Sequence, residues 1–221
     1  MHEGHRERLK GRFREEGLDN FNQHQVLELL LFYAIPRRDT NEIAHKLIDR
    51  FGSLSGVLDA GYEHLTMEAG VSPNAATLLT LLPDLCRCYL NDKWGDRPQL
   101  NSTSKAGEYA KTLFYGRPYE VFYVICLDAQ NQVNYAALAH EGTIDSAPVY
   151  PRIIVEAALR HKATSIILAH NHPGGSLQPS SADLDATKKI KSACEAISVS
   201  VVDHVIVAGE KYFSFADRGL I

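Results

Sequence analysis

The chain has 221 residues, 45% of them hydrophobic and 23% charged, with a formal net charge of −4 at pH 7. That balance describes a folded globular chain, long enough for one ample core or two smaller ones, and excludes intrinsic disorder. No apolar run approaches the roughly 18 residues a membrane span needs, and Met1-His2-Glu3-Gly4-His5-Arg6 lacks an apolar signal core, so no membrane and a cytoplasmic location are expected. Cys86, Cys88, Cys126 and Cys194 form no C-x-x-C pattern and are expected to be free thiols.

Taken in order, the chain begins with a basic cluster, Arg6, Arg8, Lys10, Arg12 and Arg14, diluted by Glu3 and Glu7. It suits either electrostatic contact with nucleic acid or the solvated face of a terminal helix. Val26, Leu27, Leu29, Leu30 and Phe32 predict a helix stopped by Pro36, followed by a second small basic patch at Arg37 and Arg38. Ile43, Ala44, Leu47, Ile48 and Phe51 recur at helical spacing up to Gly52. Phe51-Gly52-Ser53-Leu54 and then Ala69-Gly70-Val71-Ser72-Pro73-Asn74 resemble a helix-hairpin-helix, whose hairpin offers backbone N–H groups to DNA phosphates. Ser72 stands where a second hairpin glycine is usual and Asn74 where a lysine often follows, and such folds also serve as packing modules. DNA is thus a candidate partner of this half. Polar, Gly and Pro residues then interrupt the pattern, dividing the chain into a small all-α domain at 1–91, a linker at 92–102 and a second domain at 103–221.

After the linker strands dominate. Val121-Phe122-Tyr123-Val124-Ile125-Cys126-Leu127, preceded by Glu120, is apolar enough for a central strand. Residues 133–139 make a second strand, joined to the first by Asp128-Ala129-Gln130-Asn131-Gln132 as a hairpin. A helix opened by Pro151, a strand over 164–169, a helix after Ser180 and two final strands complete the chain. The expected class is α/β, a mixed β-sheet flanked by helices.

The strand over 164–169 runs into His170-Asn171-His172-Pro173. Side chains two apart on an extended backbone share a side, so both imidazoles can reach one ion. Ten histidines in 221 residues make roughly one half of an H-x-H pair expected by chance, so the pair alone decides little. Asp183, ten residues beyond Pro173 and its Gly-Gly loop, supplies a third ligand, which would leave a fourth tetrahedral position for water. Ser180 and Asp183 also fit a helix capping box, S-x-x-D before Leu184, Thr187 and Ile190.

The arrangement of an upstream Glu, H-x-H, seven residues, Ser, two residues and Asp resembles the JAMM metalloprotease motif. Gly142-Thr143, the run from Ala147 to Arg152, Asp203-His204-Val205-Ile206-Val207 and Arg218-Gly219-Leu220 extend the likeness to bacterial RadC proteins over nearly the whole chain. The resemblance implies a JAB/MPN fold, cytidine-deaminase-like, and Zn2+ held by His170, His172 and Asp183. It also implies Glu120 as general base and Ser180 as a donor to the oxyanion, in hydrolysis of a peptide or isopeptide bond in a protein substrate. Glu141 is the second candidate for the base. Asn171 departs from eukaryotic JAMM peptidases, which usually carry Ser or Thr there. Two imidazoles and a carboxylate also suit iron, manganese or nickel. His204 is a candidate pocket residue and His140 a candidate substrate contact, although a lone strand histidine is commonly just hydrogen-bonded. The other function class is a DNA-associated repair or genome-maintenance factor using the same fold as a metal-stabilised scaffold.

Overall fold

A computed structural model describes residues 2–142 and 151–221. The part of the RadC-like pattern at 143–150 lies outside the described residues. Within them the chain forms two compact units, divided between Cys86 and Arg87.

In the first unit, helices α1 (His2–Glu16), α2 (Gln23–Ala34), α3 (Asn41–Phe51), α4 (Leu54–Leu58) and α5 (Tyr62–Thr66) precede α6 (Pro73–Asp92), which carries the chain into the second unit. Leu27, Leu31, Ile43, Leu47, Val57, Leu65 and Leu79 form the buried centre. α2 stops at Ala34 because Ile35, preceding Pro36, is pushed out of the helical region. α3 ends on Gly52, whose φ of +83° suits the left-handed cap that glycine adopts freely. Gly70, in the expected hairpin, has φ +96°, and a Cβ there would lie 3.0 Å from two atoms of Ile43, so packing also accounts for this glycine. The basic cluster is partly used internally. Arg6 donates to the carbonyls of Phe32, Ile35 and Arg38 near the end of α2, where cations are favoured, and Arg12 donates to the Asn20 carbonyl.

The second unit is a five-stranded mixed sheet. β1 (Val121–Leu127) lies between β2 (Val133–Glu141) and β3 (Ser165–Asn171), antiparallel to both. β3 runs parallel to β4 (Ser200–Ala208), which pairs with β5 (Lys211–Ser214). The period-2 alternation of β1 divides its side chains between two cores. Val121, Tyr123, Ile125 and Leu127 pack with α7 (Thr103–Phe114), while Phe122, Val124 and Cys126 pack with α8 (Pro151–Arg160) and α9 (Ser181–Glu195). β1 and β3 are buried along their whole length, as their continuous apolar runs require.

The stretch at 92–102 runs along the second unit: Val133 N–H donates to the Pro98 carbonyl, Leu100 N–H to the Asn131 carbonyl, and Leu100 is buried in the α7-side core. Arg97 pairs with Asp128 at 2.6 Å. Its polar composition reflects the rim of a sheet, where alternate residues face water. α7, absent from the expected elements, starts at Ser102, whose hydroxyl accepts from Lys105 N–H. Cys86, Cys88, Cys126 and Cys194 are free, and among the described residues no helix is long and apolar enough to cross a membrane.

Candidate metal centre

β3 delivers His170 and His172 at its C-terminal end, and the loop that follows returns the chain to α9, whose first turn carries Asp183. The ligand atoms of these three residues lie within 4.8 Å of one another. His170 Nε2 is 2.9 Å from His172 Nε2 and 3.2 Å from Asp183 Oδ1, and His172 Nε2 is 3.7 Å from Asp183 Oδ2. Tetrahedral donors around an ion at ~2.0–2.1 Å lie ~3.3 Å apart, close to the separations of His170 Nε2 from His172 and from Asp183 Oδ1, so the three residues can hold a metal ion. His172 Nδ1 donates at 2.8 Å to the Ser176 carbonyl, which leaves Nε2 as the nitrogen available to an ion.

Asp183 is both ligand candidate and cap. Its Oδ2 accepts from Ser180 N–H and from Ser180 Oγ, each at 2.7 Å, and its own N–H donates back to Ser180 Oγ at 3.1 Å. The capping box is therefore formed, and it leaves Oδ1 directed at His170. Burial pulls the Asp183 carboxyl upward, but the His170 and Ser180 hydrogen bonds and the charge of His170 outweigh it and hold the group well below the usual carboxylate range. His170 is pushed below the ordinary imidazole value by burial, a shift that Asp183 and, more weakly, Glu120 oppose.

Glu120 lies at the entrance to β1, half-buried, and outside the three-ligand group. It directly precedes Val121, one residue before Phe122, which pairs with His170 across β1 and β3. Its backbone is fastened by Asn171. Where β1–β3 pairing stops at Phe122 and His170, Asn171 Oδ1 accepts from Val121 N–H at 2.7 Å, and Asn171 Nδ2 donates to the carbonyls of Tyr119 at 2.9 Å and Arg117 at 3.2 Å. The Glu120 carbonyl in turn accepts from Gly142 N–H at 2.9 Å. Glu141, opposite Val121, is ion-paired with Arg117 at 3.0 Å. His140 stands opposite Phe122 in β2, and among the described residues its buried Nε2 has no hydrogen-bond partner.

His204, on β4, lies directly behind His170: its Nε2 is 2.8 Å from His170 Nδ1. Phe122 stacks on His170 with centroids 5.7 Å apart, and Phe215 covers His204 at 4.6 Å. Thr187 completes the group, with Oγ1 2.7 Å from His204 Nδ1. The sequence places Thr187 only on the inner face of the helix after Ser180; its part in this group depends on its position four residues after Asp183, over His204.

The model of the RadC-like JAB domain matches residues 100–220 of the chain. A UPF0758 protein of Fusobacterium nucleatum subsp. nucleatum is 36% identical over 226 residues, which cover 99% of this chain and 97% of that protein. With a mixed sheet, flanking helices and a His-His-Asp group at the expected intervals, the chain belongs to the RadC family, its second unit being a RadC-like JAB domain.

Proposed function

We propose that the protein is a zinc-dependent hydrolase of peptide or isopeptide bonds, with Glu120 as general base. The observation that carries this reading is the convergence of His170, His172 and Asp183 at the end of β3, which the antiparallel register sets beside the start of β1 that Glu120 precedes. Three protein ligands are the number used by catalytic zinc sites, whereas structural sites use four. Zinc bound there would supply a water with its pKa lowered toward neutrality and a positive charge to polarise the scissile carbonyl. Glu120 takes the proton of the attacking water and returns it to the leaving nitrogen. Ser180 turns its hydroxyl from Asp183 Oδ2 toward the carbonyl oxygen as negative charge grows there. The choice of a peptide or isopeptide substrate follows from membership of a JAB family.

The test is bound metal per chain in protein purified without added metal, followed by turnover on a panel of peptide and isopeptide-linked substrates. Wild type and Glu120→Gln are expected to hold about one zinc per chain and His172→Ala to lose it, with hydrolysis confined to wild type. Glu120→Gln cleaving as fast as wild type would remove Glu120 from the role. No metal in any variant, even after zinc is supplied, would overturn the hydrolase and favour a DNA-associated scaffold, recognised by duplex binding that weakens steeply with salt.

A further inference from the structure

Behind the candidate ligands runs a chain of buried side chains that the hydrolytic scheme leaves unused. It leads from His170 Nδ1 to His204 Nε2 at 2.8 Å, and from His204 Nδ1 to Thr187 Oγ1 at 2.7 Å. The Thr187 hydroxyl then donates at 2.6 Å to the backbone carbonyl of Asp183. His170, His204 and Thr187 are 0%, 1% and 3% exposed, so the protein itself must settle where their hydrogens sit.

A hydroxyl has one proton and a carbonyl only accepts. The Thr187 proton therefore lies toward Asp183; turned to His204, it would leave two oxygen lone pairs facing each other at 2.6 Å without solvent. Thr187 Oγ1 must then accept from His204, whose Nδ1 carries the hydrogen. A charge on His204 would sit unpaired beside the Phe122 and Phe215 rings, so the ring is neutral and its Nε2 is bare. That bare nitrogen accepts from His170 Nδ1–H. His170 Nδ1 is thereby committed to His204, and Nε2, which faces His172 and Asp183, is the one His170 nitrogen left to take an ion in place of a proton.

We propose that Thr187 and His204 are positioning residues that lock His170 into the tautomer whose Nε2 is free to hold a metal ion; the inference rests on the metal-site reading above. Asp183 closes the circuit. Its side chain offers a ligand oxygen while its carbonyl fixes the far end of the relay, so one residue of α9 sets both the acid ligand and the histidine ligand.

The test uses the full chain labelled with 15N-histidine, recording two-bond 1H–15N correlations on metal-free protein, with zinc affinity measured by competition against a chromophoric chelator. The expected spectrum has His204 and His170 both protonated at Nδ1. Thr187→Val, nearly isosteric, removes the acceptor; His204 then moves its hydrogen to Nε2, His170 carries its own on Nε2, and zinc binding weakens by about 10–100-fold. Thr187→Ser keeps the acceptor and stays within about twofold of wild type. His204 protonated at Nε2 in wild type would overturn the proposal, as would folded Thr187→Val binding zinc as tightly as wild type. A wild type that takes up no zinc would count against the hydrolase and not against the relay, which the tautomer spectra decide by themselves.

Discussion

Removing the Asn171 side chain should loosen the entrance to β1 while leaving the rest of the sheet intact. Asn171 is 5% exposed and supplies one acceptor and two donors to three backbone groups on either side of Glu120. In Asn171→Ala the carbonyl of exposed Tyr119 can regain water and that of half-buried Arg117 can do so in part, at little cost. The Val121 N–H cannot, because Val121 is 1% exposed. A buried donor left without a partner costs about 1–3 kcal/mol. Taking about 2 kcal/mol, and tenfold for each 1.4 kcal/mol, the detached state of this segment becomes about 30-fold more populated. Amide hydrogen exchange reads this directly: Val121 should exchange about 30-fold faster, with Ile125 and Leu168 unchanged. Asn171→Asp keeps the acceptor for Val121 but turns negative oxygen toward the two carbonyls, so it should retain more Val121 protection than Asn171→Ala while still freeing residues 117–119. Equal protection of Val121 in wild type and Asn171→Ala would refute the tether.

Three further outcomes follow from the packing and the charges. Gly107 lies in α7 where an added Cβ would fall 2.4 Å from Tyr212 Cε2, so Gly107→Ala should cost about 1–3 kcal/mol despite its better helix propensity, and an unchanged or raised melting temperature would contradict the contact. Asp203 accepts from His204 N–H, Ala216 N–H and Ser214 Oγ. Asp203→Asn keeps one oxygen for both backbone donors and should cost under about 1 kcal/mol, against about 2–3 for Asp203→Ala, with denaturant midpoints separating the two. Metal-free protein should also lose stability as pH falls from about 7 to about 5. Burial holds His204 well below 6.5 and His170 below it, so under that value the unfolded chain takes up protons that the folded one refuses. Asp183, held low by His170 and Ser180 against its burial, adds its loss only below 3.8. Asp203, raised by burial, acts oppositely, favouring the fold in acid and giving that up as pH rises through its folded value. A melting temperature that stays flat between about pH 7 and about pH 5 would contradict the two buried neutral imidazoles.

The legible parts of the fold were those whose side-chain pattern answers to one dominant burial. β1 and β3 are covered on both faces, so their apolar runs are unbroken, and α2 and α3 end on Pro36 and Gly52 through backbone sterics that act locally. α7 was illegible for the converse reason. Gly107 weakens its helical signal, and what justifies a glycine there is Tyr212, more than a hundred residues away in sequence. The polar stretch at 92–102 is ambiguous for a related reason: composition does not tell whether such a stretch also hydrogen-bonds along the rim of a sheet, as Pro98 and Leu100 do. Nor does a run of arginines announce that Arg6 will spend its donors on carbonyls near the end of α2. The H-x-H pair and Asp183 were visible because backbone geometry brings the first two together and a helix start presents the third. The relay behind them was not, since His204 acquires its role only when β4 is laid beside β3 and α9 is folded over both.

Ser180 and Asp183 posed a choice in the sequence between a helix cap and a ligand, and the structure shows why these need not compete. A carboxylate has two oxygens. Asp183 Oδ2 is held by both hydrogen-bonding groups of Ser180, which fixes the side-chain rotamer, and Oδ1 is thereby aimed at His170. An Asp already ordered by its cap loses no further rotamer freedom when a cation arrives, so the capping energy of about 1 kcal/mol also serves preorganisation. Ser180→Ala should therefore weaken metal binding without touching a ligand, in addition to destabilising α9. Ser180→Gly, which costs a cap only a few tenths of a kcal/mol, separates the two effects. If Ser180→Gly leaves zinc affinity at the wild-type value, the cap does not orient Asp183; if affinity falls as far as in Ser180→Ala while stability is kept, it does.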